Sequence, residues 1–124
     1  MHAFEWSLVR VVPRVERGEF VNAGAIVYCH ALDFLHAAVE LDEDRLRALF
    51  PDSDLDLIRR HLAAVGDLCG GSGEMPGTVA RSLGERFRWL TAPRSTIIQT
   101  SPIHTGLTDD PAAELERLLE VMVR

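Results

Sequence analysis

Residues 4–12 (FEWSLVRVV) alternate, with Phe4, Trp6, Leu8, Arg10 and Val12 on one side and Glu5, Ser7, Val9 and Val11 on the other. A period of two in aromatic and β-branched residues predicts a strand, and Pro13, which has no N–H for a ladder, predicts where it stops. The charged stretch 14–19 (RVERGE) reads as a connection, and 20–29 (FVNAGAIVYC) as a second strand. Gly24 inside it predicts a bulge or a close backbone approach. By simple alternation Asn22 shares a face with Gly24, an arrangement that leaves room for a ligand beside the missing side chain. A third run, 33–41 (DFLHAAVEL), completes a three-stranded antiparallel meander.

Helical spacing follows. Asp42 is placed to cap a short helix carrying Leu46, Leu49 and Phe50, which ends before Pro51. Asp52, Ser53 or Asp54 can cap the next, whose Leu55, Ile58, Leu62 and Val65 recur every three or four residues. Residues 70–77 (GGSGEMPG) predict a flexible loop; they lack the Gly-Lys-Ser/Thr ending of a phosphate-binding loop. Residues 95–100 (STIIQT) predict a fourth strand. Asp109 and Asp110 before Pro111 open a last helix, with Leu115, Leu118, Leu119 and Met122 facing the core. The expectation is one α+β domain over 1–124: an antiparallel sheet of about four strands with helices packed on one face.

Composition narrows the function classes. The 124 residues are 47% hydrophobic with a formal charge of −6, and every one of the 13 basic residues is Arg. The missing Lys reads as codon bias from a GC-rich genome. The acidic balance argues against broad attraction to nucleic acid or an anionic membrane. No apolar run approaches the roughly 20 residues of a membrane span, and no secretory signal is visible, which predicts a cytoplasmic protein. Cys29 and Cys69 then read as reduced thiols. The five His show no metal-ligand spacing, so neither a metal nor a cofactor is expected.

One segment departs from plain scaffold. Residues 86–106 (RFRWLTAPRSTIIQTSPIHTG) hold Arg86, Arg88 and Arg94 with no acid, and a series of hydroxyl side chains. Guanidinium forks match carboxylate or phosphate oxygens, and hydroxyls can complete an anion site. Candidate ligand-binding residues are Arg88, Arg94, Ser95, Thr96, Gln99 and His104 here, with Arg10 and Asn22 from the first two strands. His104, in a loop among hydroxyls, is the one candidate acid or base. No complete catalytic set accompanies it.

The segments FEWSLVRVVPRVERGEFVNAGAIVYC and RFRWLTAPRSTIIQTSPIHTGLTDDPAAELERL resemble the small bacterial family called domain of unknown function 3037. That family has no assigned activity, so the resemblance brings no catalytic residues. Its members often look like stand-alone proteins encoded beside a HipA-like kinase-fold protein, which implies a protein partner. The leading expectation is therefore a non-enzymatic binding protein that engages a partner near Arg88, Trp89, Arg94 and His104. The alternative is an enzyme or ligand-binding protein for a phosphorylated small molecule or nucleotide. The pattern leaves self-association open.

Overall fold

The longest strand, β1 (His2–Val11), runs through the middle of the sheet in this computed structural model, which describes residues 1–70 and 82–124. On one side β1 pairs antiparallel with β2 (Val21–Cys29), and β2 with β3 (Phe34–Val39), the predicted meander. On its other side lie two short strands end to end. β4 (Ile98–Thr100) pairs with Val9–Val11, and β5 (His104–Thr108) with His2–Trp6. The sheet thus has five strands rather than four. His104–Thr108, expected as loop, has little apolar alternation because it is an edge strand whose ladder partner, β1, supplies the buried surface. Between β4 and β5, Ser101 keeps β1 satisfied where Pro102 cannot: its N–H donates to the Leu8 carbonyl at 2.9 Å, and its Oγ accepts from the Leu8 N–H at 2.8 Å.

The bulge foreseen at Gly24 is present. The register slips between Val9 and Arg10, so Val9 faces Gly24 while Arg10 faces Asn22, with Ala23 unmatched. Asn22 and Gly24 therefore lie on opposite faces, against the simple alternation expected above. The room beside Gly24 is filled by protein, since a Cβ there would sit 2.5 Å from the Ala38 carbonyl oxygen.

Helix α1 (Glu43–Leu49) is capped by Asp42, whose carboxylate accepts from the Arg45 N–H at 3.0 Å. Helix α2 (Leu55–Gly70) is capped by Asp54, which accepts from the Leu57 N–H. Of the expected 70–77 loop, Gly70 closes α2 and the remainder lies outside the described residues. Helix α3 (Leu83–Leu90), started by Ser82, occupies part of the Arg-rich segment that had read as anion site. Helix α4 (Pro111–Leu118) starts at Asp110 as expected and ends in one wider π-helical turn, Leu119–Val123.

Both faces of the sheet carry helices, not one. Val9, Val11, Ile26 and Tyr28 pack with Leu46, Ile58, Leu62, Phe87 and Leu90 from α1, α2 and α3. Phe4, Leu8, Ala25, Val27 and Cys29 form a second cluster with Leu118 of α4. Apolar residues on both faces of β1 and β2 require such a two-sided cover. The π turn shifts the C-terminal stripe: Val123 is buried, and Met122, expected inside, is exposed.

Candidate functional site

The eight candidate residues separate into two groups. Arg10, Asn22, Gln99 and His104 belong to strands and share the α4 side of the sheet by register, since Gln99, Arg10 and Asn22 are direct cross-strand neighbours and His104 faces Trp6. Arg88 is on α3, and Arg94, Ser95 and Thr96 are on the connection from α3 to β4. Arg88 points at the opposite sheet face, where it grips both oxygens of Glu5 at 2.5 and 2.8 Å. It is a bidentate ion pair and not a free anion donor.

Several of the polar side chains that suggested an anion site serve their own backbone. Thr91 Oγ1 donates to the Phe87 carbonyl, Thr96 Oγ1 to the Ile98 carbonyl, and Gln99 Nε2 to the Thr96 carbonyl at 2.9 Å. Short polar side chains often bond to nearby backbone in this way where a chain leaves a helix and enters a strand. Ser95 is exposed.

Two guanidiniums lie over an aromatic ring without an ion pair. Among the described residues, neither Arg10 nor Arg94 makes an ion pair with a carboxylate, whereas Arg14, Arg17, Arg45, Arg47, Arg59, Arg88, Arg117 and Arg124 all do. Arg10 instead lies over the half-exposed ring of Phe20, its Cζ 4.0 Å from the ring centroid. Its Nε and the Oδ1 of its cross-strand neighbour Asn22 are buried polar atoms without a hydrogen-bond partner among the described residues. Asn22 uses its amide nitrogen, donating to the Met122 carbonyl at 3.2 Å. Burial holds the Arg10 guanidinium below its ordinary range, the direction expected when desolvation meets no compensating anion.

Further along the same face, Trp6 and His104 stack with ring centroids 4.4 Å apart and planes inclined at 24°. Helix α4 packs on β2 and β3, and its π turn on β2, so Trp6, His104, Arg10 and Phe20 sit beside the helix rather than under it. Among the described residues no group of three or more metal-ligating side chains gathers, and the His104 imidazole, stacked on an indole, is placed for contact.

A family model described as "Protein of unknown function (DUF3037)" matches residues 6–123. The chain belongs to the DUF3037 family. No curated protein and no solved structure matches it. Both groups of candidate residues lie inside the DUF3037 match, as does the α3 helix between them.

Arg94, the second ring-stacked guanidinium without an ion pair in this DUF3037 chain, lies over Trp89 with its Cζ 4.5 Å from the ring centroid, and donates to the Trp89 carbonyl. It lines two concavities, of about 500 Å³ toward Pro102 and about 270 Å³ toward α2. Neither Arg10 nor His104 lines either of them, so the guanidiniums of the two chain ends do not converge on a shared hollow. The sequence signal for Arg10 was its place on an apolar strand face; Phe20 and Trp6, which complete its surface, were visible only as hydrophobic strand residues.

Proposed function

We propose that the chain is a non-enzymatic binding module that engages a protein partner through the sheet face beside α4, with Trp6, Arg10, Phe20 and His104 as its contacts. The observation that carries this reading is Arg10. A partly buried cation with no carboxylate, one aromatic face against it and an unsatisfied amide oxygen next to it is not accounted for by the fold. An acidic side chain from a partner would supply the missing anion, while Phe20 beside it and Trp6 and His104 further along the face offer flat apolar area. Arg and Trp are the side chains that most often dominate interface energies. The family resemblance suggests a HipA-like kinase-fold protein as the partner to try first.

The phosphate-directed alternative has less support, because Arg88 is neutralised by Glu5 and the Thr91 and Thr96 hydroxyls are engaged by carbonyls. The test is surface-immobilised binding of the HipA-like neighbour to the wild-type chain and to Arg10→Ala, Trp6→Ala and Arg60→Ala. Each of the first two is expected to weaken binding by about tenfold or more, a hot-spot effect of roughly 1.4–4 kcal/mol, with Arg60→Ala on the exposed side of α2 near neutral. Equal affinities across all four proteins would remove this surface from consideration.

A further inference from the structure

The hollow between α2, α3 and β4 has a composition of its own. Fully buried Ile26 forms part of its wall, with Val65 and Leu68 of α2, Leu90 of α3 and Ile98 of β4, and Arg94 stands at its edge. Ligand sites in proteins combine an apolar lining with a few placed polar groups, and those for drug-sized molecules span roughly 300–1,000 Å³. At about 270 Å³ this one suits a smaller occupant. The polar end selects among anions. Thr96 and Gln99 line the hollow as well, but their donors already serve the Ile98 and Thr96 carbonyls. That leaves the Arg94 guanidinium, which has no carboxylate among the described residues and donates to the Trp89 carbonyl, and the His61 imidazole from α2 in the lining. One fork and one ring can match the two oxygens and single charge of a carboxylate. A phosphate dianion asks for more donors than remain.

We infer that this hollow binds a small apolar monocarboxylate, with the hydrocarbon part against Val65, Leu68, Leu90 and Ile98 and the carboxylate on Arg94. The site is separate from the Trp6–Arg10 surface and lies on the other face of the sheet. Occupancy closes the gap that a lone guanidinium leaves at the edge of an apolar wall, and it stabilises the folded chain because the unfolded chain has no such slot.

Hexanoate is the probe, followed by the indole N–H resonance of Trp89 and by the melting temperature of the full chain. At millimolar concentration hexanoate is expected to move the Trp89 resonance, leave that of Trp6 in place and raise the melting temperature, while 1-hexanol, which lacks the charge, binds at least several-fold more weakly. Arg94→Gln is expected to weaken hexanoate by about tenfold. Ala64→Phe, at an exposed lining position that leaves the core intact, is expected to block both probes. The inference is overturned if hexanoate leaves Trp89 and the melting temperature unchanged. It is equally overturned if Arg94→Gln keeps the wild-type affinity, or if Ala64→Phe folds normally and still binds hexanoate.

Discussion

Arg88 gives its guanidinium fork to Glu5, whereas Arg10 faces a phenyl ring and an amide oxygen that nothing fills. The same side chain thus does opposite jobs, and spacing in the sequence does not distinguish them, because Glu5 lies 83 residues from Arg88. A run without acids, such as 86–106, says only that its cations are not neutralised locally. Cys69 shows how burial alone sets chemistry at this scale. Desolvation pushes its thiol up to about 12, with the nearby Arg86 opposing weakly. A thiol whose value in the folded state exceeds that of the unfolded chain favours folding only where both states keep the proton. Its contribution is intact below the ordinary thiol value and is lost as the pH rises from there toward 12. We expect Cys69 in the native chain to react with a thiol reagent at pH about 8 far more slowly than in denaturant, since the thiolate is the reactive form. Fast labelling of Cys69 in the folded chain would contradict that burial.

At the scale of elements, the meander, α1, α2 and α4 were legible because each combines a strong period with its own start signal, Asp42 and Asp110 being the clearest. Helix α3 was not, although Ser82 precedes it and Leu83, Phe87 and Leu90 follow at helical spacing. Its Arg residues drew the eye to charge rather than to that stripe. Strand β5 was hidden for a different reason: an edge strand with one exposed side needs no apolar alternation when β1 is long enough to hold it. The two-sided cover was likewise latent in β1, whose Phe4 and Leu8 face α4 while Val9 and Val11 face α2 and α3. Asn22 went to the unexpected face because one extra residue, Ala23, reverses the alternation. Gly24→Ala tests this bulge. The new methyl would meet the Ala38 carbonyl at 2.5 Å and Val39 Cγ1 at 2.9 Å, so overpacking is expected to remove about 1–3 kcal/mol, read as a lower urea midpoint. An unchanged midpoint would mean that β3 does not approach β2 as closely as described.

Over the whole molecule, most of the described arginines pair with carboxylates, and Arg10 and Arg94, two that do not, lie on opposite sides of one sheet. Each is stacked on an aromatic ring, but their surroundings differ. Arg94 borders a hollow walled by aliphatic side chains, whereas Arg10 lies on an open face with Trp6, Phe20 and His104. Candidate residues alone, read without the fold, merged the two into one site. The sheet separates them because β1 presents Arg10 toward α4, while Ile98 and the connection before it turn toward α2. No helix of the described residues is long and apolar enough to cross a membrane. The chain has two Trp residues, and they report on the two faces separately. The most direct test is therefore a nitrogen-15 NMR titration of the chain with a HipA-like kinase-fold protein, following both indole N–H signals. Binding through the open face predicts that the Trp6 signal shifts or broadens together with the amides of Arg10 and His104, while Trp89 stays put. A complex that moves Trp89 and leaves Trp6, Arg10 and His104 unmoved would contradict it.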